Sequence, residues 1–428
     1  MGARLVTALD AVRASYWFVP GLMALAAVGL AALTTAAEDW AAELPLFRTW
    51  LALNTPEGAR AVLSTIAGSL IGVAGVSFSI IIAALAYATS QLGPRLLRNF
   101  MRDRGNQFVL GVFIAAFIYG LLILRTVSAG LEDGRPFVPH LGVAVALLLA
   151  LAGVGVFIYF IHHAPKSIQA SELIAEIGEE LRSRALALFP RRIGEPTEPE
   201  PAWPDAPALE ARAAASGYVL RVDGNGLLAL ASERDLAIRL LARPGDFVAE
   251  GDPVALVQGG ASHDALRRVS RAFVAGRART QTQDLLFAVQ QIVEIAARAL
   301  SPGVNDPYTA VACLDWLGAG LIALGERARP AEARRDGDGL PRLWAPALSF
   351  EEATDAAFTP LRAYAATDPV AAPQLIATLA RVHARVPHPP YRAALRQQAE
   401  ALLEEAEAAG APPRLLERLK EAAAALAG

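Results

Sequence analysis

Within the first 163 residues stand four apolar stretches, at about 17–37, 61–90, 108–127 and 141–161. Each supplies the roughly 20 residues that a helix needs to span the hydrocarbon core of a bilayer. Residues 1–166 are therefore predicted to form a four-helix α-helical transmembrane domain. A cleavable signal peptide fits the first stretch poorly, because its apolar run is long for such a segment and a membrane pattern follows at once. The fold class is mixed, since the charged and turn-forming residues after 166 cannot continue a membrane pattern.

The second stretch differs from the other three. At about 100° per residue, Ser64, Gly68, Gly72, Gly75, Ser79, Ala83, Ala86 and Ser90 share one face. Ile66, Leu70, Val73, Ile80 and Ile81 lie elsewhere on the helix. Small residues at four-residue spacing let helix backbones approach closely in a membrane. The same stripe in an oligomer also suits a water-lined path, so it predicts either a packing face or a pore face. A helix over 61–90 is about 45 Å long, longer than a core of about 30 Å. It must tilt or overshoot the bilayer toward Pro94, which is expected to break it.

Orientation follows from arginines beside the span ends. The turn between the second and third spans carries Arg95, Arg98, Arg102 and Arg104 against the single acid Asp103. Arg4, Arg13 and Lys166 flank the outer ends of the set, whereas the two remaining loops hold Glu38, Asp39, Glu43, Glu57, Glu132 and Asp133. Both termini are predicted cytoplasmic, in a bacterial inner membrane. The four arginines then form a cytoplasmic mouth. A net charge of −3 at pH 7 gives no case for nucleic acid. The single cysteine, Cys313, excludes an internal disulfide and a thiolate cluster.

Residues 167–210 read as an amphipathic helix, to about Leu188, followed by a Pro/Glu-rich linker. Residues 211–262 read as a small β subdomain. Its short apolar runs, Tyr218-Val219-Leu220, Leu227-Leu228-Ala229-Leu230 and Val254-Ala255-Leu256-Val257, are separated by turn residues. The stretch 244–254, Pro-Gly-Asp-Phe-Val-Ala-Glu-Gly-Asp-Pro-Val, resembles the hairpin of biotinyl- and lipoyl-type barrel-sandwich domains. Those domains load their cofactor on a lysine, and none stands between Lys166 and Lys420, so no cofactor is expected.

Residues 263–428 are predicted to form an α-helical subdomain. A helix over 284–300 stops at Pro302 and Gly303, and Asp306 before Pro307 fits an N-cap with proline at the first helical position. The side chains of Ser301, Asn305, Asp306 and Thr309 crowd that helix start. They form a ligand or latch loop in a functional reading and a plain capped turn otherwise. His162 and His163 are adjacent, which points their rings about 100° apart and suits an interfacial pair rather than a metal clasp. No metal motif and no catalytic set is recognisable among the six histidines.

The run 299–310, Ala-Leu-Ser-Pro-Gly-Val-Asn-Asp-Pro-Tyr-Thr-Ala, resembles the signature of a bacterial family of predicted membrane proteins, domain of unknown function family 2254. The segment 94–104, from Pro94 to Arg104, is similar to a second signature of that family. The resemblance implies four spans with a large cytoplasmic region, and carries no activity or catalytic residue. The leading expectation is a homo-oligomeric channel, lined by the second span, contacting lipid and passing ions, and gated by its cytoplasmic half. The alternatives are a non-conducting scaffold or sensor that binds a cytoplasmic partner, and, third, a membrane-bound enzyme.

Overall fold

A computed structural model describes residues 15–38, 40, 55–92, 103–128, 137–166, 169–189, 201–280 and 282–426. The chain divides into two compact units, Thr7–Gln169 and one built on Ala170–Gly428.

The N-terminal unit contains four long apolar helices, α1 (Phe18–Ala36), α2 (Pro56–Leu92), α3 (Arg104–Thr126) and α4 (His140–Lys166). Each is long and apolar enough to cross a membrane. Each overlaps one of the stretches read from sequence, and α2 is the longest at 37 residues. The third helix is the hub, packing on α1, α2 and α4. Half of its apolar window is buried, against 22% for each of the other three. Val109, Phe113, Ala116, Tyr119 and Ile123 recur at three- and four-residue spacing and supply that buried face. Close approach is built in at Gly111, where a Cβ would stand 2.5 Å from the Met23 sulfur and 3.3 Å from the Pro20 Cα.

Two buried polar groups of this unit are matched across helices. Tyr119, fully buried, shares a hydrogen bond of 3.0 Å with Thr34 and lies 3.3 Å from the Gly142 carbonyl. The Glu38 carboxylate accepts from the Leu141 backbone N–H at 3.0 and 3.2 Å, which satisfies a free donor at the start of α4.

The C-terminal unit begins with α5 (Ala170–Leu188). Its β part holds a five-stranded sheet in the order β1-β5-β3-β8-β7 and a three-stranded sheet in the order β4-β2-β6. The strands are β1 (Leu209–Arg212), β2 (Gly217–Val222), β3 (Ala237–Leu240), β4 (Phe247–Val248), β5 (Pro253–Gln258), β6 (Phe273–Gly276), β7 (Ala333–Arg335) and β8 (Pro341–Trp344). All pairings are antiparallel except β3 with β8. One apolar core, including Val219, Ile238, Val248, Val257 and Leu343, draws on both sheets.

Two expectations are corrected here. The run 227–230 lies in helix α6 (Gly224–Glu233) rather than in a strand. Asp223 caps it by accepting from the Gly226 N–H, and Leu227, Leu230 and Ala231 form its buried stripe. Four apolar residues in a row carry no period of their own, so the cap and the spacing decide. Nor do the sheets end at 262. β6 pairs with β2, β8 with β3 and β7 with β8, all drawn from a stretch expected to be helical.

The remaining elements are α7 (His263–Ala272), α8 (Leu285–Ala299), α9 (Pro307–Gly325), α10 (Phe350–Ala365), α11 (Ala371–Arg385), α12 (Pro389–Ala408) and α13 (Pro413–Ala424). A capping box at Ser349 and Glu352 starts α10. By length and composition α9 is a fifth helix apolar enough to cross a membrane. It packs on α5, α8, α10 and α11, with Cys313, Leu314, Leu317 and Leu321 buried. Glycines set its closest crossing. A Cβ on Gly178 of α5 would stand 2.4 Å from the Trp316 ring, and one on Gly320 2.4 Å from Leu181.

Candidate functional site

Among the described residues the small-residue stripe of α2 lies outside the core of its own unit. Ser64, Gly68, Gly72, Gly75, Ser79, Ala83 and Ala86 are all exposed, and a Cβ on Gly68, Gly72 or Gly75 meets nothing within 4 Å. The backbone of Ser90 continues α2, while its side chain lies outside the described residues. The face that packs on α3 is Ala59, Leu63, Ala67, Leu70, Ala74, Ser77 and Ile81, each 7% exposed or less. At 100° per residue the centres of the two faces stand about 155° apart. Large apolar residues border the stripe, with Ile71 and Ile82 on one side and Val76 and Ile80 on the other. The stripe is therefore a shallow groove between apolar rims.

The other helices expose mostly larger residues, Leu22, Leu25, Val28 and Leu33 on α1 beside the open Gly21 and Gly29, and Leu148, Leu151, Val154, Ile158 and Ile161 on α4 beside the open Gly155. Within the groove of α2, the Ser79 hydroxyl donates to the Gly75 carbonyl at 2.9 Å, so its polarity is met inside the helix.

A polar knot ties the start of α3 to the end of α4. Asp103 is the N-cap of α3, accepting from the Gly105 N–H at 2.7 Å and from Asn106 Nδ2 at 3.1 Å. The same carboxylate lies 2.9 Å from His163 Nε2, and the His163 ring stacks on Tyr159 at 5.1 Å between centroids. Gly105 makes room for that ring, since a Cβ there would stand 2.4 Å from Nε2. The sequence shows His163 and an N-cap aspartate, but nothing in it pairs two residues 60 positions apart. His162 points elsewhere, with Nδ1 3.3 Å from the Ile158 carbonyl. Of the arginines predicted at the mouth, Arg104 opens α3 and is exposed, while Arg95, Arg98 and Arg102 lie outside the described residues.

The loop before α9 closes on itself. Asp306 accepts from the Thr309 N–H at 3.1 Å and from the Thr309 hydroxyl at 2.6 Å. Ser301 donates its hydroxyl to the Arg298 carbonyl at 2.6 Å, and Asn305 adopts a left-handed φ of 50°. Asp306 is the N-cap and Pro307 stands at the helix start, as the sequence predicts. Asp306 and Thr309 are brought together, the Ser301 hydroxyl turns back to the preceding helix, and these three side chains are engaged with the chain itself. Val304 and Tyr308 form its exposed apolar tip, Tyr308 at 74% exposure. Among the described residues no cluster of three or more His, Cys, Asp or Glu side chains is placed to hold a metal ion.

The comparisons with known proteins agree with a membrane reading. Residues 13–381 match the model of a family described as predicted membrane protein, DUF2254. An uncharacterized protein of Mycobacterium tuberculosis is 34% identical over 356 residues, covering 81% of this chain and 67% of the relative. A protein of Mycobacterium bovis, also described as uncharacterized, matches with the same identity and coverage. No solved structure matches the chain. With both of its signatures inside the matched region, the chain belongs to the DUF2254 family of predicted membrane proteins.

Proposed function

We propose that the protein is a homo-oligomeric channel of the bacterial inner membrane, with α1–α4 as its spans and α2 facing the conduction path. One observation carries this reading. The small-residue groove of α2 faces away from its own unit, nearly opposite the face that packs on α3. A helix that met only lipid there would have no use for a run of glycine and serine. A second copy set against the groove, or water along a shared axis, gives it one.

Both termini are assigned to the cytoplasm by the arginine bias around the spans. Arg95, Arg98, Arg102 and Arg104 then ring the inner mouth and favour anions there. The C-terminal unit acts as the gate, with α9 as an interior helix of it rather than a fifth span. The packing of α9 on four helices supports that assignment. No catalytic residue, metal or cofactor enters this reading.

The test combines conduction with proximity. Purified protein in planar bilayers is expected to give currents. In membranes, Gly75→Cys is expected to cross-link between protomers under oxidation, and Ile80→Cys is not. Disulfide formation demands Cα atoms within roughly 7 Å, so it reads contact along the groove itself. Cys313 is buried and its thiol pKa is pushed up by that burial, so it contributes no background. Silent bilayers with intact cross-linking would favour a non-conducting scaffold. Absence of both would overturn the assembly as well as the pore.

A further inference from the structure

Where the sheets of the C-terminal unit meet its helices, two hollows adjoin. The larger encloses about 330 Å3 and the smaller about 160 Å3. Arg243, Arg334, Gln283 and Leu188 line both, so the two form one cleft. Its size falls in the range of small-molecule sites, which run from roughly 300 to 1,000 Å3. Leu228, Leu240 and Leu343 supply an apolar wall.

The polar groups of this cleft are unequally engaged. Gln283 is engaged at both ends of its amide, accepting from the Val222 N–H at 2.9 Å and donating to the Val222 carbonyl at 3.3 Å. Asp284 caps α8 and is paired with Arg279 at 2.7 Å. Arg243 sends both terminal nitrogens to Glu352, each at 3.2 Å. Arg334 donates to the Ala331 carbonyl and draws no ion pair with a carboxylate among the described residues. The cleft thus joins an apolar wall to a guanidinium with no carboxylate partner among the described residues. Asn225, exposed at the rim, adds a neutral amide.

We propose that this cleft binds a small organic anion, a carboxylate or phosphate carried on an apolar body. The anionic head pairs with Arg334, whose planar fork suits either group, and the body lies on the leucine wall. The occupant touches Leu188 at the end of α5 and both β3 and β8, so it joins the first helix of this unit to its sheet. The inference goes beyond the channel reading and stands whether or not the protein conducts.

Calorimetry on the full chain in detergent micelles tests it, with 1-naphthyl phosphate, 1-naphthoate, neutral 1-naphthalenemethanol and inorganic phosphate as probes. Each titration is set against protein-free micelles. At least one naphthyl anion is expected to bind, and the comparison of the two identifies the head group. The neutral alcohol and inorganic phosphate are each expected to bind at least tenfold more weakly. Arg334→Gln should weaken the anion by about tenfold or more, the usual scale for one charge-assisted hydrogen bond. Asn225→Trp fills the rim from an exposed position and should also block binding. It decides the matter if Arg334→Gln fails to fold. No heat above the micelle blank, equal binding of the neutral alcohol, or folded variants that bind like the unaltered chain would overturn the proposal.

Discussion

Replacing Gly72 by leucine separates a face that is free within the protomer from one that is packed. A Cβ at Gly72 meets nothing within 4 Å, so the protomer has room for the new side chain. Its own stability should hold or rise by up to about 1 kcal/mol, because a glycine inside a helix is less favourable than leucine by about that much. Across the proposed interface the leucine overpacks a close helix crossing, at about 1–3 kcal/mol for each contact. At 1.4 kcal/mol per decade, association weakens by roughly 5- to 150-fold per interface. Ala67→Leu is the matched comparison, because Ala67 is 3% exposed and packs toward Gly120 of α3. The same overpacking now falls inside the protomer and should lower its stability by about 1–3 kcal/mol. Gly155→Leu on α4 is the second comparison, also with open space but outside the stripe of α2, and should leave the assembly unchanged while shifting the protomer as Gly72→Leu does. Native mass spectrometry reads the assembly, thermal melting the protomer and bilayer recording the current. The reasoning is refuted if Gly72→Leu keeps the assembly and conductance of the unaltered chain. It fails equally if Gly72→Leu melts as Ala67→Leu does, since the groove would then be packed within the protomer.

Gly105→Ala should push the His163 ring away from Asp103 and destabilise the N-terminal unit by about 1 kcal/mol, the scale of a partly exposed charge-assisted bond. In a His163→Ala background the same substitution should have almost no effect, and equal losses in both backgrounds would dissociate Gly105 from the pair. Asp306→Ala should cost about 1 kcal/mol through loss of the α9 cap, with Asp306→Asn recovering most of it, as read by denaturant unfolding. His383 is buried with no hydrogen-bond partner at Nε2, and burial, then Arg392 and Arg396, push its pKa below 6.5. Above pH about 6.5 both states hold it neutral, while below that value the unfolded chain binds a proton that the folded chain resists. Stability should therefore fall as pH drops from 7 toward 5, and His383→Gln should flatten that part of the melting profile.

The features that the sequence reveals are those decided by neighbouring residues. Hydropathy over 20 residues locates α1 to α4, and the Asp306-Pro307 dipeptide locates the start of α9, because capping and span length are local properties. The run 227–230 is misread for a related reason, being too short to show a helical or a strand period. What is hidden depends on partners far away in the chain. Nothing in composition marks α3 as the hub, since all four helices are about equally apolar and burial is settled by which of them touch. The same holds for β8, which reaches β3 across about a hundred residues, and for His163 opposite Asp103. The cleft at Arg243 and Arg334 draws on six elements, α5, β2, α6, β3, β7 and β8, so no window of sequence contains it.

The two faces of α2 put the stripe in physical terms. Its packed face also uses small residues, Ala59, Ala67, Ala74 and Ser77, and there they let α3 come close. The outer face repeats that device with even smaller residues and no partner among the described residues of its unit. In a membrane, helix association rests on close van der Waals contact rather than on expulsion of water, so a groove has value only when something fits it. Lipid tails fit the leucine-rich sides of α1 and α4, whose bulky chains interdigitate with acyl chains as readily as with each other. The outer groove of α2 matches instead the shape that its inner face already presents to α3. That match favours a second helix, and symmetry between copies makes another α2 the simplest source of one.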